Sequence, residues 1–313
     1  MKKSIIILLR DVCDEWIELA KRAKLNTLGL HFIITENDVQ SYLDWLNAGG
    51  RAFVEKMESE GIQIEHELHA VSHLLPRSLF ETHPEYFRME NGERNGDYNF
   101  CCSNEDALRI VTENTYKLAK ELRQTGHKYY FWLDDKPNKF CSCEKCRNIS
   151  YSDQTLRIVE AMLKGLRQYD EKAQLCYLAY ESSIEPPSRP IPDGVFLEFA
   201  AIHREMDKPM THENNAQWQA ALEKLLKVFP VESAEILEYW LDESWYAGWD
   251  RSKISRVPYD ENLLKADFEY YTSLGVSAIK TFGAYMDKTY LEKYGDKEIV
   301  DFGNLLESCM KSK

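Results

Sequence analysis

The chain has 313 residues, 44% of them hydrophobic and 29% charged, with a formal charge of −13. That length and apolar content suit one large α/β barrel or two ordinary domains, and a mean hydropathy of −0.50 excludes an integral membrane protein. The acidity argues against nucleic acid and anionic membranes as partners, because both repel a polyanion.

The first element is a strand at Ser4–Leu9. Lys2 and Lys3 ahead of it give it the look of a secretion leader, but its apolar run meets Arg10 and Asp11 at once and no small-residue cleavage site follows. A cytoplasmic location is therefore expected, and in a reducing compartment the eight cysteines are read as thiols or metal ligands rather than disulfides. Further short runs rich in β-branched and aromatic residues follow at Thr27–Phe32, Gln63–Leu68, Lys128–Asp134, Gln174–Tyr180, Val195–Ala200, Ala234–Leu241 and Val276–Phe282. Helical spacing fills the intervals at Asp14–Ala23, Val39–Gly61, Glu105–Thr125, Ser152–Tyr169, Asn215–Phe229 and Asn262–Leu274, with a closing helix at Asp301–Met310. Eight such alternations predict a single (β/α)8 TIM barrel over 1–313. An open doubly wound sheet is disfavoured, because no glycine-rich phosphate loop follows the first strand.

In such a barrel the C-terminal strand ends converge on one face. Those ends are polar here: His31, then Glu65, His66, Glu67 and His69, then Asp134 and Asp135, Tyr180 and Glu181, Glu198 and His203, Glu238, Trp240 and Asp242, and Lys280. Polar ends occur at any sheet rim, so their convergence carries more weight than any one member. Glycosidic cleavage needs an acid for the leaving oxygen and a second group that supplies or orients a nucleophile. One of Asp134 and Asp135 is expected as the acid, with Glu238, across the barrel, as the partner carboxylate; one aspartate capping the loop and the other solvated is the plainer alternative. The aromatic stretch Tyr239–Trp249 suits the apolar faces of sugar rings. Trp240 and Trp245, together with His31, His69, Tyr180 and Lys280, are the expected substrate-binding residues, with one or two of Trp240, Trp245 and Trp249 touching the sugar.

The loop after the fourth strand contains Cys141-Ser142-Cys143-Glu144-Lys145-Cys146, and the long irregular stretch Ala70–Phe100 after the third ends in Cys101-Cys102. Three close thiols can wrap a soft cation, and a tetrahedral site needs a fourth. Both loops leave adjacent strands on one face, so Cys101 and Cys102 are within reach. Cys102 is favoured, and a structural Zn2+ held by Cys102, Cys141, Cys143 and Cys146 would staple the two loops together. The plainer alternative is a set of reduced thiols in a polar loop.

His83-Pro84-Glu85-Tyr86-Phe87, Gly92-Glu93-Arg94, Cys102-Ser103-Asn104 and Cys141–Cys146 together resemble the signature of DUF4838. This is a mostly bacterial family of glycoside-hydrolase-like barrels of undefined activity, and the resemblance covers at least Asp14 to about Tyr180. It implies kinship with α-glucuronidases and β-N-acetylhexosaminidases. Some of the latter carry an acidic pair after the fourth strand, which would give Asp134 the role of orienting a substrate acetamide and Asp135 that of acid. The expected activity is hydrolysis of an N-acetylhexosaminide or glycuronide. Two other readings stand beside it: a noncatalytic carbohydrate-binding barrel, and a metal-dependent hydrolase or isomerase built on His31, His66 and His69. No HxH or HExxH spacing supports the last.

Overall fold

Side chains that branch at Cβ or carry rings pack well on a pleated surface, and each of the eight short runs forms a strand. In the computed structural model, which describes residues 1–33, 38–124 and 126–311, these strands are β1 (Lys2–Leu8), β2 (Thr27–His31), β3 (Gln63–His69), β4 (Lys128–Trp132), β5 (Gln174–Tyr180), β6 (Val195–Ala200), β7 (Glu235–Glu238) and β8 (Ala278–Phe282). They close into one parallel barrel, each strand pairing with its neighbours in sequence and β8 with β1. The register sets Leu8 beside His31, His69 beside Trp132 and Tyr180 beside Ala200, so these side chains share the C-terminal rim.

Helices cover the outside at Glu15–Arg22, Glu105–Glu121, Tyr151–Leu166, Ala216–Leu225, Glu261–Leu274 and Lys297–Lys311. The expected end of the second of these, Thr125, lies outside the described residues. Its start is set by Asn104, whose side chain accepts from the Ala107 N–H at 2.9 Å and fills one orphan donor of the first turn. The helix expected over Val39–Gly61 is instead two, Val39–Trp45 and Arg51–Ser59. Between them Gly49 has φ +136°, and a Cβ on Gly50 would lie 2.6 Å from the Trp45 ring, so both positions need glycine.

The stretch after β3 is more ordered than expected. It contains an antiparallel hairpin, Arg88–Glu90 with Glu93–Asn95, turned by Asn91 and Gly92 at φ +51° and +86°. Two left-handed residues in a two-residue loop match the right-handed twist of the strands they join.

Strand alternation sorts the barrel into an apolar outer layer and a largely polar interior. Near the N-terminal end Lys2 donates to Glu65 at 2.8 Å and Glu235 at 2.9 Å, and Lys128 reaches Glu235 at 2.8 Å. One layer higher Lys280 pairs with Glu67 at 2.9 Å and with Glu198, 4.1 Å above the Tyr130 ring. Burial opposes the charge on Lys280, but Glu198, Glu67 and Glu235 outweigh it and hold the ammonium well above its usual range. Lys280 therefore lies beneath the floor of the C-terminal mouth, saturated by acids. Lys280, expected to bind substrate, does not line the mouth.

Candidate active site and cysteine cluster

The inward positions at the C-terminal rim enclose a cavity of about 690 Å³ lined by His31, His69, Trp132, Asp135, Tyr180, Tyr239, Asp242, Trp249 and Phe282, among others. Its floor is aromatic: His31 and His69 lie 5.3 and 5.1 Å from the Trp132 ring, and Tyr239 stacks on Phe282 at 5.5 Å. The Trp132 indole N–H donates to Glu198 at 2.8 Å, so the charged layer below fixes the orientation of this ring. A second cleft of about 490 Å³, between the loops after β4 and β5, shares His69, Trp132 and Tyr180 with the first.

The two aspartates after β4 separate. Asp134 accepts from the backbone N–H groups of Asn99 at 2.6 Å and Ser72 at 3.1 Å and pairs with Arg77. It latches the long loop to the rim and lines the second cleft rather than the first. Asp135 is exposed and borders the cavity. Together with burial, it pushes the Tyr180 phenol far above its usual range.

The strand β7 corrects two expectations. Glu235, Leu237 and Tyr239 take the inward parity, which turns Glu238 and Trp240 outward. Glu238 is buried against the helix Glu261–Leu274, where Arg204 donates to both its oxygens at 3.0 Å and Tyr271 adds a third bond. Trp240 packs on Phe268 at 5.2 Å and donates to Asp267 at 3.1 Å in the same layer. Neither borders the cavity. Trp245 packs beside the interior cluster and edge-on to Trp249, at 6.4 Å, and it is Trp249 that lines the opening.

The strand-seven carboxylate that does reach the cavity is Asp242. It caps the short helix Glu243–Tyr246, with Oδ1 accepting from the Ser244 N–H at 3.0 Å, the Ser244 hydroxyl at 2.5 Å and the Trp245 N–H at 3.3 Å. Burial raises its pKa to about 6 against the pull of those donors. The sequence placed Asp242 at the strand end without a role; it shares the parity of Glu238 and Trp240, and only the turn after β7, closed by the Asp242 N–H to Tyr239 O bond at 3.1 Å, brings it back to the cavity.

His31 and His69 each present Nδ1 to a backbone carbonyl, of Glu67 and Leu133 respectively. A carbonyl only accepts, so each Nδ1 carries hydrogen, and in the neutral ring Nε2 is an acceptor. Burial, with the nearby His69, lowers the His31 pKa to about 3, which keeps that ring neutral. His66 has the opposite parity: its Nδ1 meets the Tyr42 hydroxyl at 2.5 Å outside the barrel. The three histidines therefore do not form one ligand set.

Four buried thiols, Cys101, Cys141, Cys143 and Cys146, bring their sulfurs within 4.8 Å of one another. Cys101 replaces the expected Cys102. The chain turns after Cys101, with the Asn104 N–H donating to Cys101 O at 3.0 Å, and Cys102 within that turn approaches only Cys146, at 3.9 Å. The Met89 N–H lies 3.3 Å from Cys141 Sγ and Arg94 lies 3.8 Å away.

A family model described as "Domain of unknown function (DUF4838)" matches residues 31–294. The chain belongs to DUF4838. No curated protein matches it by sequence. Among solved structures, this DUF4838 chain is similar to a β-N-acetylhexosaminidase from Bacteroides fragilis NCTC 9343, with a TM-score of 0.62 and 10% identity over 97% of this chain and 65% of that one. It is also similar to a glycoside hydrolase family 5 enzyme from Prevotella bryantii B14 in complex with a xyloglucan tetradecasaccharide, with a TM-score of 0.56 and 7% identity over 95% and 87% of the two chains. A β-galactosidase from Marinomonas ef1 has a TM-score of 0.61 and 11% identity over 100% and 60%. At such identities these likenesses concern the barrel alone. The DUF4838 chain spans less than two thirds of the length of the hexosaminidase and of the galactosidase. No described helix is long and apolar enough to cross a membrane.

Proposed function

We propose that the protein is a carbohydrate-active enzyme that hydrolyses a glycosidic bond at the C-terminal mouth of the barrel. The observation that carries this reading is the pair Asp135 and Asp242, which reach one aromatic cavity from β4 and β7. Asp242, held by three hydrogen bonds and ionised above about pH 6, is the carboxylate that stabilises positive charge developing at the anomeric carbon or attacks it. Asp135, exposed at the rim of the same cavity, is the proton donor to the leaving oxygen. This pairing takes the place of Glu238. Barrel neighbours that are glycoside hydrolases are consistent with it, and Trp249 at the opening offers a ring face to a pyranose.

The test is turnover on a panel of aryl glycosides, including N-acetylhexosaminides and glycuronides, beside Asp135→Asn and Asp242→Asn controls. Activity that disappears in both variants is expected. Activity that survives in both removes the assignment, and binding without turnover in the wild type favours a noncatalytic sugar-binding barrel.

The four thiols fit a structural zinc. A tetrahedron with Zn–S near 2.3 Å has sulfur–sulfur edges of about 3.8 Å, and Cys101 Sγ lies 3.7 Å from those of both Cys143 and Cys146. Zinc held by four thiolates has no open position, so its chemistry here is to cross-link the two loops. Cys101 follows the hairpin loop and the other three follow β4, so the staple would brace the segment that carries Asp134 and Asp135.

A further inference from the structure

The hydrogen-bond inventory of the cavity is lopsided. Asp135 and Asp242 contribute carboxylates, and His31 and His69 contribute ring nitrogens: in each, Nδ1–H is taken by a backbone carbonyl, and Nε2 has no hydrogen-bond partner among the described residues. Both histidines are more than nine-tenths buried. Among the described residues no lysine or arginine lines this cavity, and the nearby cation is Lys136, which lines the adjoining cleft. The nearest buried ammonium, on Lys280, is already shared among Glu67, Glu198 and Glu235. The hydroxyls of Tyr180, Tyr239 and Ser244 also line it and are neutral donors or acceptors; the remaining walls are the ring faces of Trp132, Phe282 and, at the opening, Trp249.

We propose that this cavity takes a sugar that carries a protonated amine, and that it rejects a uronic acid. An ammonium group brings N–H donors for the two histidine Nε2 lone pairs, charge opposite to that of the two aspartates, and a cation for the electron-rich ring faces. A uronate carboxylate brings a like charge and further acceptors, with no guanidinium or ammonium to receive it. The neutral His31 strengthens the contrast, because burial holds its pKa near about 3 and it adds no positive charge at working pH. The inference rests on reading the cavity as a sugar site and narrows the substrate class to amino sugars.

The experiment is a titration of the full chain, followed by calorimetry at pH 7.5, with the methyl glycosides of glucosamine, N-acetylglucosamine and glucuronic acid, and with tetramethylammonium chloride. The glucosaminide is expected to bind at least tenfold more tightly than the N-acetylglucosaminide, with the glucuronide weakest. That preference should shrink at high salt, in Asp242→Asn, and below about pH 6 as Asp242 takes up a proton. Asparagine still caps a helix, so Asp242→Asn should fold. Asp135→Asn, at an exposed position, gives a second variant with no burial at stake.

Equal affinity for amine and acetamide, or a glucuronide that binds as tightly as either, overturns the inference. If the aryl glycoside panel is active while the titration order is flat, the hydrolase reading stands and the amine preference falls. If tetramethylammonium binds and none of the three glycosides does, the cation preference stands and the sugar reading falls.

Discussion

At the scale of single residues, one rule separates right expectations from wrong ones: side chains along a strand alternate between faces. Glu238 and Asp242 are both acids near the end of β7, but Glu238 takes the outward parity with Trp240, while Asp242 lies beyond the strand, in the cap that turns it back over the mouth. The sequence shows the acids and not the register, which depends on where β7 meets β6 and β8. Two outcomes follow. Asp242→Asn should reduce kcat/KM by about 100-fold or more with little change in the unfolding midpoint, because the cap persists. In the wild type, the kcat/KM profile should fall as pH drops through about 6, where Asp242 protonates; a flat acid limb contradicts its role. Glu238→Gln should behave in the opposite way. It strips the buried Arg204 of a partner held at 3.0 Å, which costs roughly 3–5 kcal/mol for a buried pair broken on one side, while the KM of the molecules that remain folded stays near that of the wild type. Denaturant titration beside steady-state kinetics distinguishes the two variants.

At the scale of elements, the strands were legible because their runs are short, apolar and bounded, and the cysteine triplet was legible as a possible metal ligand set. The loop around it was less so. Asn91-Gly92 is a strong hairpin signal, but the strands it joins are three residues each, too short to show alternation. The choice between Cys101 and Cys102 turned on which way one residue faces. Sequence spacing cannot supply that, whereas the Cys101 N–H bond to Tyr86 O at 2.9 Å anchors that residue to the hairpin loop. Cys143→Ser is expected to release about one zinc per chain and to lower the unfolding midpoint by about 2 °C for each kcal/mol lost in a chain of this size. Cys102→Ser should keep the metal. Elemental analysis of both purified variants checks the assignment; equal metal loss in the two would return Cys102 to the ligand set, and a metal-free wild type would remove the zinc altogether.

At the scale of the whole molecule, the barrel holds together around charges that no periodicity predicted, because polar residues on β1, β3, β4, β6, β7 and β8 read as ordinary rim residues until the strands close on one another. Four acids (Glu65, Glu67, Glu198 and Glu235) face three lysines (Lys2, Lys128 and Lys280). The excess acid is Glu67. Burial, reinforced by Glu198 and Glu65 and only partly offset by Lys280, raises its pKa well above the carboxylate range, and its Oε1 has no hydrogen-bond partner among the described residues. A neutral Glu67 leaves three negative charges against three positive ones. The unfolded chain releases this proton near the ordinary value of 4.5 while the folded chain retains it, so the contribution of Glu67 to stability is full below that value and is lost as pH rises toward the folded pKa. Glu67→Gln keeps the shape of the neutral acid and removes the linkage. Its stability relative to wild type should therefore increase from pH 5 to pH 8, with no loss beyond about 1 kcal/mol at pH 8. Lys280→Met instead removes the cation from the buried Glu198 and Glu235 carboxylates and the donor from Glu67, and should cost about 3–5 kcal/mol or abolish folding. Denaturant midpoints at the two pH values provide the comparison. A Glu67→Gln penalty as large as that of Lys280→Met would mean that Glu67 is ionised in the folded barrel and that the charge balance is met in some other way.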